Sequence, residues 1–202
     1  MACTSSVPDR FFVWVDAVGG YWVCLADAVV IGQAVPGNDA DIPILGDLSP
    51  RHARLRRDGE GYLIEALREV RVEGKSVSGV AALQDGNRIQ LGHGVQLAFR
   101  RPHALSATAR LDLLSHHGTQ PSVDGVILMA DSLVLGPRAD SHIVCPNWPH
   151  EVVLYRQQDQ LYCRASSLLE IDGSKTKRQG PARLSANSRV VGDWFSLSLE
   201  GM

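Results

Sequence analysis

No apolar run in this 202-residue chain approaches the ~20 residues that a membrane-spanning helix needs. Val29-Val30-Ile31 and Val126 to Met129 are typical of what it has, so membrane insertion is not expected. Met1 to Pro8 is polar and lacks the basic stretch and apolar core of a secretory signal. Cysteine is scarce: Cys3, Cys24, Cys145 and Cys163 form no Cys-x-x-Cys pair, and three of them lie in or beside apolar runs. Free, buried thiols and a cytoplasmic location are the expectation. There is no excess of either charge sign, with a net charge of −2 and a pI near 6.4, which argues against nucleic acid as a partner. No Gly-x-Ser-x-Gly elbow, Walker loop, His-Glu-x-x-His or paired-carboxylate motif occurs, so neither an enzyme nor a cofactor is expected. His142, Cys145, His150 and Cys163 lack paired close spacing, and residues i and i+3 of a strand face opposite sides, so no metal is assigned to them.

Helical periodicity is also missing, and a period of two runs almost throughout. Phe11 to Val15 and Tyr21 to Leu25 are apolar runs separated by Gly19-Gly20, a hairpin signal. Val29 to Ile31, Ile42 to Leu45, His52 to Arg56, Tyr62 to Glu65, Val70 to Val72, Arg88 to Leu91 and Val95 to Phe99 follow, with turn residues between them. Ala109 to Leu113 alternates and is read as a further strand, and Gly118 to Pro121 as a turn. Hydrophobic residues at 45% and charged residues at 21% are ordinary for a globular protein. Short strands at this spacing predict an all-β sandwich or barrel with little or no helix.

The chain repeats itself. Ala26-Asp27-Ala28-Val29-Val30-Ile31-Gly32 matches Ala130-Asp131-Ser132-Leu133-Val134-Leu135-Gly136 without a gap. Asp41-Ile42 then matches His142-Ile143, His52 matches His150, Glu73-Gly74 matches Asp172-Gly173, and Arg88-Ile89 to Gly92 matches Arg189-Val190 to Gly192. Matches kept in order over about a hundred residues make the repeat unit a domain and not a solenoid turn. Two tandem domains are expected, over 9–101 and 102–202, divided near Arg101-Pro102.

Gly32, Asp41-Ile42, Leu48-Ser49-Pro50-Arg51-His52, Val72-Glu73-Gly74 and Leu83 to Gly92 together resemble the forkhead-associated (FHA) domain, whose blocks they keep in order. The resemblance spans Val13 to Phe99; the second copy is similar mainly through the first. It implies two tandem β-sandwiches, the second degenerate, with loops at one end that bind phosphothreonine peptides. A phosphate of about −1.5 to −2 charge calls for several strong donors. Carried over, the family arginine falls on Gln33, the serine on Ser49, and its following arginine on Pro50 with Arg51 adjacent. The family asparagine is placed on Glu73, where a carboxylate would repel phosphate. Gln33, Ser49, Arg51 and Glu73 are therefore the phosphopeptide-site candidates, with Gly32, His52 and Gly74 supporting the loops. In the second copy Pro137, Asn147 to Pro149 and Asp172 replace the consensus.

Other readings stay open beside this one. Ser49 either contacts phosphate or bonds only its own loop. Arg51, Arg54, Arg56 and Arg57 are read as a solvated strand face, and Lys175, Lys177 and Arg178 as a loop. Trp14 and Trp22 are read as core or inter-sheet residues. Trp148 is either an exposed anchor or a plug in a vacant phosphate pocket. The expected role is a non-enzymatic module for a protein or phosphoprotein partner in Ser/Thr kinase signalling, the partner being a kinase or its substrate. The alternatives are a phosphorylation-independent adaptor and a carbohydrate-binding sandwich.

Overall fold

The computed structural model describes residues 8–103, 105–176 and 179–202; Cys3, Lys177 and Arg178 lie outside them. The first repeat forms β1 (Arg10–Val15), β2 (Gly19–Cys24), β3 (Ala28–Gln33), β4 (Ile42–Leu45), β5 (Ala53–Asp58), β6 (Gly61–Ala66), β7 (Val70–Val72), β8 (Lys75–Ser76), β9 (Val80–Leu83), β10 (Arg88–Leu91) and β11 (Val95–Arg100). The second forms β12 (Ala109–Leu113), β13 (Gly118–Thr119), β14 (Gly125–Leu128), β15 (Ser132–Gly136), β16 (Ile143–Val144), β17 (Val152–Gln157), β18 (Gln160–Arg164), β19 (Glu170–Ile171), β20 (Ser174–Lys175), β21 (Ala182–Leu184), β22 (Arg189–Val191) and β23 (Ser196–Gly201). Among the described residues there is no helix, and so none long and apolar enough to cross a membrane. Gly118-Thr119, read from sequence as part of a turn, is a short strand against β4, and the turn proper holds the cis Gln120–Pro121 bond.

One sheet of twelve strands runs through both repeats, in the order β20-β19-β22-β23-β1-β2-β14-β12-β11-β10-β7-β8. A six-stranded sheet, β13-β4-β3-β5-β6-β9, and a five-stranded sheet, β16-β15-β17-β18-β21, complete the molecule. The order in the long sheet shows an exchange. β1 pairs with β23 of the second repeat, Val13 opposite Leu199. Reciprocally, β12 pairs with β11 of the first, Leu111 opposite Phe99. Each repeat's last strand therefore borders the first strand of the other.

The two exchanged hairpins meet where β2 and β14 lie parallel, Trp22 beside Val126 and Val23 beside Ile127. These two strands explain their own sequences. Parallel neighbours buried on both faces read as continuous apolar runs, and Tyr21 to Leu25 and Val126 to Met129 are buried at every position. Trp22, Cys24, Val126 and Leu128 face a core shared with Val29, Ile31, Leu55 and Ile64. Tyr21, Val23, Ile127 and Met129 face the other core, with Leu133, Leu135, Leu154 and Cys163. The alternation of β1 divides likewise: Phe11, Val13 and Val15 belong to the second repeat's core, Phe12 to the first's. A division at 101/102 thus separates the sequence repeats but not the cores. The reason is that strand pairing, rather than chain continuity, decides which side chains are buried together.

Polar bonds tie the exchange down. Tyr62 Oη donates to the Ala107 carbonyl at 2.8 Å, with the Leu128 carbonyl 3.1 Å away. Gly20 N–H donates to Asp124 Oδ2 at 2.8 Å, and Arg110 reaches the His142 carbonyl at 3.2 Å.

Candidate phosphopeptide site

The loops after β3, β4, β6 and β10 gather at one end of the first repeat. Gly32 closes β3 against the β4–β5 loop, and a Cβ there would lie 1.7 Å from the Pro50 carbonyl oxygen, so only glycine fits. Gln33 N–H donates to the Ser49 carbonyl at 3.0 Å, and His52 N–H to the Ile31 carbonyl at 2.8 Å. Asn38, which the motif comparison passed over, clamps both loops: its amide donates to the Gln33 carbonyl at 2.6 Å and to the Pro50 carbonyl at 2.9 Å.

His52 is buried, 4% exposed, beneath this loop. Its Nδ1 accepts the Ser49 N–H at 3.2 Å and its Nε2 donates to the Glu69 carbonyl at 2.8 Å. That pattern requires the neutral ring with its proton on Nε2. Arg68 N–H donates to the His52 carbonyl at 2.9 Å, so the β6–β7 loop is held to the β4–β5 loop twice. Above this frame, Ser49 is partly buried and Arg51 is exposed. Arg51 stands 3.7 Å from Asp39 in a solvent-exposed pair, a contact worth little in water. Arg68 is exposed on the β6–β7 loop, its guanidinium donating to the Leu67 carbonyl at 2.8 Å.

Of the residues expected from sequence, Gly32, Gln33, Ser49, Arg51 and His52 come together. Glu73 and Gly74 do not. Strand β7 leads away from these loops: Val70 pairs with Leu91, Val72 with Ile89, and the Glu73-Gly74 turn follows at the far end. Both turn residues have positive φ, 50° and 76°, the two-residue turn of a tight hairpin. Glu73 Oε1 accepts the Arg88 N–H at 2.5 Å. Asp172, its counterpart, has φ 51° and accepts the Arg189 N–H at 2.7 Å. Glu73 is thus a turn residue and not a neighbour of the phosphate position; the β6–β7 loop offers Arg68 and Glu69 in its place. The signal that could have found them is distance from His52 along the chain, which puts the β6–β7 loop and not the next turn at the same end of the sheet.

The second repeat keeps the frame and loses the opening. His142 Nδ1 accepts the Val134 N–H at 3.0 Å, as Asp41 Oδ2 accepts the Val30 N–H at 2.8 Å. Trp148 is 7% exposed and packs on Phe195 with ring centroids 5.2 Å apart, so it is a plug and not an anchor. His150 is exposed and meets the edge of Trp194, so it does not repeat the role of His52. Cys145 and Cys163 lie in the core, their thiols pushed up to about 12 by burial. Arg54 pairs with Glu65 across neighbouring strands, as a solvated strand face does, whereas Arg57 falls on the side of Ala53 and Leu55, its side chain 12% exposed and paired with Asp27, so it departs from that reading. Trp22 is core at 1% exposed, whereas Trp14 keeps 36% of its surface and donates to Glu200 at 2.8 Å.

Residues 29–92 match the family model of the FHA domain. The chain belongs to the FHA-domain family. Its matched segment starts at β3, just after the exchanged hairpin. Among solved structures, the second FHA domain of a Mycobacterium tuberculosis ABC transporter is 30% identical, with 45% of this chain and 76% of that one covered and a TM-score of 0.35. A chain solved in work on phosphothreonine-dependent FHA domain interactions is also 30% identical, covering 42% of this chain and 88% of its own, TM-score 0.31. Mycobacterium tuberculosis EmbR, solved with a low-affinity phosphopeptide, is 27% identical over 50% of this chain and 26% of its own length, TM-score 0.35. This FHA chain thus spans about a quarter of EmbR. No curated protein matches it.

Proposed function

We propose that this FHA protein is a non-enzymatic recognition module that binds phosphothreonine peptides through the loops of its first repeat. The observation that carries the reading is the His52 frame, which fixes Ser49 and ties together the loops that carry Arg51 and Arg68, both exposed. Two guanidinium groups and a hydroxyl are the donors a dianionic phosphate uses. Arg68 compensates for the charge missing at Gln33, and the distance of Glu73 removes the repulsion that its sequence position suggested. A similar chain solved with a low-affinity phosphopeptide and another from work on phosphothreonine-dependent FHA domain interactions accord with the same reading. The setting that goes with it is Ser/Thr kinase signalling in the cytoplasm, with a phosphorylated kinase or kinase substrate as partner.

Fluorescence anisotropy with a degenerate phosphothreonine peptide library, set against its unphosphorylated twin, tests this. Phosphate-dependent binding that falls about tenfold or more in each of Ser49→Ala, Arg51→Ala and Arg68→Ala is the expected result, since a hydrogen bond to a charged group contributes about 1.5–3 kcal/mol. Equal binding of both libraries removes the reading. A phosphorylation-independent adaptor is the second reading, favoured by the Arg51–Asp39 pair and the Trp148 plug. Its binding would be indifferent to phosphate and to salt. For a carbohydrate-binding sandwich, Trp22 is buried but Trp14 keeps 36% of its surface, a lone exposed indole whose N–H is taken by Glu200.

A further inference from the structure

The exchange of hairpins puts part of the second repeat beside the recognition loops of the first. Strand β12 runs along β11 toward those loops, and its tip is fastened there. Leu114 N–H donates to the Gln96 carbonyl at 2.8 Å, and Ser115 Oγ accepts the Gln96 N–H at 3.1 Å. Beyond the tip, Gly118 and Thr119 pair with Leu45 and Ile44 of β4. Between these attachments stand His116 and His117. The His117 ring lies against Gly46 and Gly94, where an added Cβ would come within 3.0 and 3.4 Å of it. Its Nδ1 is 2.8 Å from Ser115 Oγ. His116 is exposed and stacks on it, with centroids 4.6 Å apart.

The same surface continues into the site. Gly94 adjoins His93, whose side chain is 94% exposed, and Gly92 packs within 3.6 Å of the His52 ring for an added Cβ. Three imidazoles, from His93, His117 and His116, thus lead from the His52 frame outward. Leu45, half exposed, borders them. Asp47 and Glu69 are the carboxylates of the same loops, Glu69 standing 3.8 Å from His93 and leaving His116 free of such a neighbour among the described residues.

The turn itself does not need histidine. The other exchanged hairpin docks in the same way on the second repeat, Asp16 N–H donating to the Ser196 carbonyl at 3.1 Å, and its tip reads Asp16-Ala17-Val18-Gly19. The histidine pair occurs only on the hairpin beside the repeat with an open loop frame. We propose that the His116–His117 tip of the second repeat is part of the first repeat's peptide surface and reads a carboxylate side chain flanking the phosphothreonine. This rests on the phosphothreonine reading above and gives the second repeat a direct part in specificity.

The test uses the full chain and phosphothreonine peptides carrying either Asp or Lys at each flanking position in turn, with the wild type, His116→Glu and His116→Lys. Because His116 is exposed and its ring touches His117 at the tip, either change removes that stacking alone and leaves the core intact. At one flanking position the wild type should favour Asp. His116→Glu should weaken that Asp peptide about tenfold, on the scale of one charge-assisted bond, and His116→Lys should tighten it. Phosphate dependence should persist in all three. An Asp/Lys preference identical in the three proteins, with phosphate dependence intact, overturns this inference and leaves the phosphothreonine reading standing. Absence of phosphate-dependent binding in the wild type overturns both.

Discussion

His52 Nε2 sits 2.8 Å from the Glu69 carbonyl, and this one bond joins the loop that carries Ser49 to the loop that carries Arg68. Its other nitrogen accepts from Ser49 N–H. Neither bond leaves the protein, so the ring shapes the site without touching a ligand.

His52→Ala should therefore act on both stability and recognition. It removes two partly buried hydrogen bonds, to the Ser49 N–H and the Glu69 carbonyl, together a loss of about 1–3 kcal/mol. Urea unfolding should show that loss, and phosphothreonine affinity should fall with it. A variant with unchanged stability would show that the loops do not depend on the bridge.

Glu73→Asn separates the turn from the site. Asparagine tolerates the left-handed conformation better than glutamate and precedes Gly74 as an Asn-Gly hairpin turn prefers. Asp172 shows that a short side chain still reaches the equivalent N–H, at 2.7 Å. Stability should stay level or rise by up to about 1 kcal/mol, since a non-glycine residue held in this region costs about 1–3 kcal/mol. Peptide affinity should not move. A tenfold change in affinity would return Glu73 to the site.

Much of this was legible in the chain. The repeat and the strands follow from local patterns, because turn residues and two-residue alternation are set by neighbours in sequence, and Gly32 and His52 as loop supports follow from the family resemblance. Glu73 misled for the same reason: Val-Glu-Gly looks like a binding Asn-Gly locally, and only strand direction shows which end of β7 it occupies. Sequence leaves Trp148 open between anchor and plug because a loop tryptophan has no periodicity to place it. The exchange of hairpins was the least legible feature. Phe11 to Val15 is the same apolar run whether it lies beside β11 or β23, so nothing local names its partner. The trace it leaves is subtler: Phe11 to Val15, Tyr21 to Leu25 and Val126 to Met129 are apolar at every position, which one-sided burial would not require.

Acid should destabilise the protein through His142. Burial, followed by the nearby His103, lowers its pKa from 6.5 to about 4, and its Nδ1 is occupied by the Val134 N–H. The folded state thus keeps the ring neutral while the unfolded chain binds a proton below 6.5. The stability this contributes is present above pH 6.5 and is lost as pH falls from 6.5 toward about 4. The slope for one such group is up to about 1.4 kcal/mol per pH unit. Urea unfolding at pH 7, 5.5 and 4.5 should show it, and His142→Asn, which keeps an acceptor for Val134, should flatten it. An equal slope in that variant would assign the acid sensitivity elsewhere.

Cutting the chain between the repeats should not release a monomeric FHA sandwich. A 9–101 fragment keeps β11 without β12 and β2 without β14, and exposes Phe11, Val13, Val15, Tyr21, Val23 and Leu25, all buried in the second repeat's core. Each apolar side chain of this size contributes about 1.5–3 kcal/mol when fully buried. The link from β2 to β3 is only Leu25 to Asp27, too short to let the hairpin fold freely onto its own β11. Two fragments can instead supply each other, β1 of one beside β11 of the next, as the two repeats do within the chain. Light scattering after size exclusion should find a dimer or larger species for the fragment and a single chain mass per particle for the intact protein. A stable, monomeric fragment with native spectra would mean that the hairpin can close on its own repeat, and that the exchange is set by the tandem linkage alone.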